Sequence, residues 1–213
     1  MDELDPKNNV SLLLDEWGTW WDEEPGTVRG HLYQQNTLRD AFVASLSLDI
    51  FHKYTERLKM ANIAQVVNVL QSMILTNKEK MVLTPTYYVF KMYNVHQDAT
   101  YLPVELTCDT IGVRGDRNLP LVSATASRDK EGRVHISMSN VNKDETEEIT
   151  VNLQGIKAKS VSGQILTSAK LTDYNSFEKP DVVKTAEFKG AKISKGVLKV
   201  KLPAKSIVTL ELN

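Results

Sequence analysis

Cysteine is almost absent from these 213 residues, and Cys108 is the only one. A lone thiol closes no disulfide within the chain. Without a C-x-x-C pair or a Cys/His spacing there is nothing from which to build a zinc site, and no metal is expected. An excess of charge of one sign is missing too. Lys and Arg number 26 against 27 Asp and Glu, so a net charge of −1 creates no sequence-wide field, and neither nucleic acid nor a membrane surface is expected as a partner. Long apolar runs are also lacking. A membrane span needs roughly 18 apolar residues in a row. Asp49 interrupts the stretch from Phe42 to Phe51, and Asn62, Gln65, Asn68 and Gln71 interrupt the next. The opening Met-Asp-Glu-Leu-Asp-Pro has neither the basic nor the apolar region of a secretory signal. A soluble chain is expected, with any targeting segment outside it and its compartment left open. What is present, 41% hydrophobic and 25% charged residues, suits one folded domain or two small ones.

The grammar of the chain changes near His96-Gln97-Asp98, which divides it into expected domains at 1–96 and 97–213. In the first part, the apolar run Val10 to Leu14 predicts a strand buried on both faces, as in a parallel sheet covered by helices, ending at Asp15-Glu16. Thr37 can cap a helix to Tyr54 on which Leu38, Phe42, Leu46, Ile50 and Tyr54 recur at helical spacing. Leu58 to Ala64 predicts a second buried strand, completing a parallel strand-helix-strand crossover. Thr84-Pro85 opens another helix, carrying Tyr87, Tyr88, Phe90 and Tyr93. From about residue 102 the period is two: Val134, Ile136 and Met138, then Ile149, Val151 and Leu153, then Leu198, Val200 and Leu202, then Val208, Leu210 and Leu212 alternate with other residues. Half-buried strands of a two-sheet sandwich are expected there, with turns at Asp129 to Gly132, Asn142 to Asp144 and Lys195-Gly196. The 11 Lys against 5 Asp plus Glu after residue 156 suit outward strand faces and guarded edges.

Chemistry is concentrated in Leu14-Asp15-Glu16-Trp17-Gly18-Thr19-Trp20-Trp21. Here carboxylates and three indoles stand where a buried parallel strand meets its loop, the edge at which barrel enzymes carry their sites. An aromatic plane can support the apolar face of a sugar while an anion faces the positive charge that develops at its anomeric carbon. A solvated acidic loop with anchoring tryptophans would have the same composition.

The motif resembles that of the retaining α-L-arabinofuranosidases of glycoside hydrolase family fifty-one. That family's nucleophile ends the seventh strand of an eight-stranded β/α barrel, in an apolar run followed by Asp-Glu-Trp, Asn or Gly, x and Trp; here this is Leu12 to Trp20. The resemblance implies that Glu16 is the nucleophile and that Trp20 lies near the sugar. Lys59 to Val69 is similar to the eighth-strand segment, which implies that Gln65 contacts the arabinofuranose. Thr86-Tyr87-Tyr88-Val89-Phe90 resembles the eighth helix, with Val89 where many members have proline. Asn175 to Pro180 and Leu202 to Ser206 resemble phrases of the C-terminal sandwich.

The implied fold is α+β, the last two strand-helix units of a β/α barrel followed by an antiparallel, jelly-roll-like β-sandwich. Members begin with six further strand-helix units. Their general acid/base is the glutamate of an Asn-Glu pair, and this sequence contains no Asn-Glu dipeptide. A retaining mechanism uses two carboxyl groups about 5 to 5.5 Å apart, so the chain alone is expected to be inactive. The implied parent is an exo-acting hydrolase of terminal arabinofuranosyl groups on arabinan or arabinoxylan, with no cofactor and with homo-oligomers plausible. The alternative is a non-catalytic accessory piece that packs on a separate N-terminal portion or on itself. His31 and Tyr33 could rim a sugar pocket but read more simply as packing or solvated residues of a loop. His52, His96 and His135 lack a second ligand at metal spacing, and the amides of Gln65 and Asn68 require partners if buried.

Overall fold

A computed structural model describes every residue except Arg114 and Asp116. The chain runs through β1 (Leu12–Trp17), α1 (Leu38–His52), β2 (Leu58–Ile63), the hairpin β3 (Ile74–Asn77) and β4 (Lys80–Leu83), and α2 (Pro85–Tyr93), which a short turn at Asn94–His96 extends. There follow β5 (Thr100–Leu102), β6 (Thr110–Val113), β7 (Arg117–Pro120), β8 (Val122–Arg128), β9 (Val134–Asn140), β10 (Glu147–Asn152), β11 (Val161–Thr167), β12 (Ala186–Glu187), β13 (Ala191–Ser194), β14 (Val197–Leu202) and β15 (Ser206–Leu212). The fold is mostly β with few helices.

Two antiparallel sheets form the larger part: six strands in the order β12-β11-β15-β9-β8-β5 and three in the order β10-β14-β13. The alternation read from the sequence sets which side chains meet between them. Val122, Ala124 and Ala126 of β8, Val134, Ile136 and Met138 of β9, and Val208, Leu210 and Leu212 of β15 pack against Leu198, Val200 and Leu202 of β14. Burying each such aliphatic side chain contributes roughly 1.5 to 3 kcal/mol.

The expectation that these strands are half-buried fails for β9 and β15, in the middle of the six-stranded sheet. Every residue of β9 is buried, because α1 and α2 cover the sheet's other face through a second core of Leu38, Ala41, Phe42, Ala44, Tyr88, Val89, Leu166 and Ile207. The alternate residues under the helices are largely hydroxyls, and each has a partner. Ser139 donates to Ser45 (2.9 Å), His52 meets Thr125 (3.1 Å), and His96 lies between Ser127 (2.7 Å) and Ser137 (2.8 Å). Asp49 accepts from Tyr93 (2.8 Å) and Ser123 (2.6 Å). Polar residues are tolerated in such a seam because their hydrogen bonds are completed there. The cost falls on the ionisable groups: burial pushes the Asp49 carboxyl up to about 7 and holds the His96 imidazole down at about 3.

Both helix starts are built as their sequences indicate. Thr84 precedes Pro85, and its hydroxyl accepts from the Tyr87 N–H while donating to the Ser72 carbonyl. Thr37 precedes Leu38, with Asp40 three positions on accepting from the Thr37 N–H at 2.8 Å. The stripe expected on α1 is corrected. Leu38 and Phe42 are buried, but Ile50 and Tyr54 are exposed, and the buried face continues instead through Ser45 and Asp49. A strict fourfold spacing drifts by about 40° per step on a helix of 3.6 residues per turn, so the row leaves the contact face within three steps.

The strands of the first part also differ from expectation. β1 starts at Leu12 rather than Val10 and includes Asp15 and Glu16. It pairs with β2 in parallel, across the α1 connection. The two form a sheet of their own, so Leu12 (46% exposed), Leu13 (52%) and Met60 (42%) are open to solvent rather than buried on both faces. Trp17 is the exception. Its indole stacks on Phe90 at 6.1 Å and meets Phe51 edge-on at 5.1 Å, anchoring the end of β1 to the helices.

Candidate active site

Glu16 is the penultimate residue of β1, and Gln65 follows the residue after β2. Parallel register places both at the same end of the pair: Leu14 lies opposite Ala61, Trp17 opposite Ile63, and the Ala64 N–H donates to the Trp17 carbonyl at 2.8 Å. The register is irregular between Leu14 and Trp17; there Trp17 packs against Phe51 and Phe90 of the helical layer, while Glu16 is exposed. Gln65 is exposed as well, next to a cis Ala64–Gln65 peptide, and Trp20 is 69% exposed. Among the described residues none of these three side chains has a hydrogen-bond partner. The structure therefore brings Glu16 and Gln65 to one edge and leaves Trp20 on the loop beside them.

That loop is held by residues the sequence reading passed over. Gln71, fully buried, accepts the Thr19 N–H at 2.8 Å and donates to the Asp40 carbonyl at 2.6 Å and to Thr86 Oγ1 at 3.2 Å. Its own N–H donates to the Ala64 carbonyl at 2.9 Å, so one residue ties the segment after β1 to the segment after β2. The buried Asp40 carboxylate accepts from Thr19 Oγ1 (3.0 Å), Trp21 Nε1 (2.8 Å) and the Thr37 N–H. Gln34 accepts the Trp21 N–H at 2.8 Å, and the Arg39 guanidinium lies 4.0 Å above the Trp21 ring. Gly18 is required between Trp17 and Thr19, since its φ is +139° and a Cβ there would lie 3.2 Å from Gln71 Oε1. The Thr-x-x-Asp spacing ahead of α1 signals Asp40. Gln34 and Gln71 lie in loops with no local signal. Asn68 takes the bland role open to it, accepting the Thr76 N–H at 2.7 Å and donating to Thr76 Oγ1 at 2.8 Å.

The chain as a whole matches a known group of proteins. Residues 15–206 match the family model for the alpha-L-arabinofuranosidase C-terminal domain. The chain belongs to that family. It is 73% identical over all 213 residues to an intracellular exo-alpha-L-arabinofuranosidase of Bacteroides ovatus, of which it spans 41%. Among solved structures it superposes on the GH51 arabinofuranosidase of Xanthomonas axonopodis pv. citri with a TM-score of 0.97 and 47% identity, over 100% of this chain and 43% of that one. The GH51 alpha-L-arabinofuranosidase of Thermotoga petrophila, at 22% identity and a TM-score of 0.85 over 98% of this chain and 44% of its own, shares the fold. The chain thus corresponds to a C-terminal portion, about two fifths of the length of these relatives. Among the described residues no helix is long and apolar enough to cross a membrane.

Proposed function

We propose that the chain is the nucleophile-bearing part of a retaining, exo-acting α-L-arabinofuranosidase that removes terminal arabinofuranosyl groups from arabinan or arabinoxylan. The observation that carries this reading is the placement of Glu16, in its Asp-Glu-Trp setting, beside Gln65 at the same end of two hydrogen-bonded parallel strands. Glu16 attacks the anomeric carbon, Gln65 holds a sugar hydroxyl and Trp20 offers its ring to the sugar face. Residues 1–96 then end a β/α barrel and 97–213 form a sandwich. The acid/base belongs to a portion that this chain does not contain, and no cofactor takes part. The open faces of β1 and β2 favour a companion reading of the same piece, as a module that packs on a separately supplied barrel portion or on itself, because parallel strands are stable when covered on both faces.

A graft tests the proposal. Replacing the matching segment of the Bacteroides ovatus relative by this chain should leave arabinan hydrolysis within about tenfold of the parent. Glu16→Ala in the graft should remove a factor of roughly 10⁴ or more, and the ungrafted chain should release no arabinose from arabinan. An active Glu16→Ala graft would overturn the assignment.

A further inference from the structure

A cavity of about 540 Å³ is lined by none of Glu16, Trp20 and Gln65. It opens between the loop after β1, which supplies Val28, His31 and Tyr33, and the segment after β2, which supplies Val69 and Thr76. It nevertheless adjoins the candidate active site, because the Gln65 N–H donates to the Val69 carbonyl at 3.2 Å.

Its walls are fixed by hydrogen bonds rather than by hydrophobic packing. The Glu23 carboxylate accepts the N–H groups of Gly30 (2.7 Å) and Leu32 (2.8 Å), and the Glu24 N–H donates to the Tyr33 carbonyl (2.9 Å). The Leu70 N–H donates to the Leu32 carbonyl at 2.9 Å, stitching one loop to the other. A cavity held open in this way is organised before any ligand arrives, which lowers the ordering cost of binding.

The lining also selects a ligand class. Among the described residues no Lys, Arg, Asp or Glu lines it, so a phosphate or an acidic sugar finds no counter-charge there. Apolar surface from Val28, Leu32 and Val69 is combined with the half-buried Tyr33 ring, the His31 imidazole and the Thr76 side chain. Among the described residues neither the Tyr33 hydroxyl nor the His31 ring has a hydrogen-bond partner. Burial raises the Tyr33 hydroxyl above its ordinary pKa, so it remains a neutral donor. Apolar walls with a few free donors and acceptors suit the faces and hydroxyls of a neutral sugar, and the volume lies in the range of sites for ligands larger than one pentose.

We propose that this cavity is a second carbohydrate subsite, holding arabinofuranosyl residues of an oligosaccharide beyond the terminal one at Glu16. The inference rests on the function proposed above and adds a place for the rest of the chain being trimmed. It makes the loop from Thr27 to Tyr33 a determinant of preference for longer glycans.

The test is a titration of the ¹⁵N-labelled chain with α-1,5-linked arabinotriose, with L-arabinose and with cellotriose. Arabinotriose should shift the amides of Gly30, His31, Tyr33 and Val69 saturably, whereas L-arabinose should shift only those around Glu16 and Gln65. Val28→Glu, at an exposed position on the rim, and Tyr33→Ala should each weaken arabinotriose binding by about fivefold or more. Shifts confined to Glu16 and Gln65 would overturn the subsite while leaving the proposed function standing. Silence at the cavity with every sugar, or equal shifts with cellotriose, would also overturn it. So would cavity shifts that follow protein concentration rather than sugar, since they would assign the surface to a second copy of the chain. A failed graft with a responsive cavity would instead count against the proposed function alone.

Discussion

Asp49 shows how one residue can set the pH response of an interface. It stands on α1, fully buried, between the hydroxyls of Tyr93 on α2 and Ser123 on β8, and burial pushes its pKa up from 3.8 to about 7. Between those values the folded chain holds a proton that the unfolded chain has released. The stability linked to Asp49 is therefore complete below about 3.8 and is lost as the pH rises through about 7. His96 acts in the opposite sense. Burial depresses its pKa from 6.5 to about 3, so its contribution is complete above about 6.5 and is lost as the pH falls toward 3. The two oppose each other in mild acid, and above about 6.5 Asp49 alone changes. Asp49→Asn keeps an acceptor for Tyr93 and a donor toward Ser123 without the buried charge. The variant should be more stable than the parent at pH 8 by about 2 to 4 kcal/mol, with the gain gone near pH 4. Urea unfolding at the two pH values measures this, and a gain that does not change with pH would contradict the assignment.

At the scale of elements, the loop that carries the tryptophans depends on Asp40, whose carboxylate serves the cap of α1 and the loop after β1 together. Asp40→Ala leaves the Trp21 indole N–H, the Thr19 hydroxyl and the Thr37 N–H without their acceptor, and should cost about 3 kcal/mol. Hydrogen exchange should quicken at Thr19 and Trp21 well before the strands of the six-stranded sheet respond; uniform loss of protection would mean that Asp40 supports the whole fold instead. The cap positions Thr37 and Thr84-Pro85 and the period-two strands were legible in the sequence because each is a local rule, satisfied within a few residues. The double burial of β8, β9 and β15 was not. Ser123, Ser137 and Ser139 have the pattern of a wet strand face, and only the tertiary fold brings α1 and α2 over them. In the candidate site, Glu16, Trp20 and Gln65 could be named from a motif, whereas Gln71 and Gln34 act through contacts far apart in sequence, 52 residues in the case of Gln71 and Thr19.

For the whole molecule, the question is which apolar surface remains once the helices have docked. The start of α1 offers none, because Leu38 and Phe42 are buried against the sheet within the chain. What stays open is the strand pair: Val10, Leu12, Leu13 and Met60 are all exposed, and among the described residues β1 and β2 pair only with each other. Free strand edges with apolar side chains are templates for a further strand, and charged residues on an edge are the usual guard against this. The isolated chain should therefore associate as its concentration rises, through this strand pair rather than through the helices. Leu13→Lys should shift the midpoint of association, followed by light scattering, to at least about tenfold higher concentration. It should leave the unfolding temperature within a degree or two, because an exposed side chain contributes little to the fold. If Leu13→Lys leaves association unchanged while Ile50→Lys abolishes it, the contact lies on the outer face of α1, and the strand pair is covered in some other way.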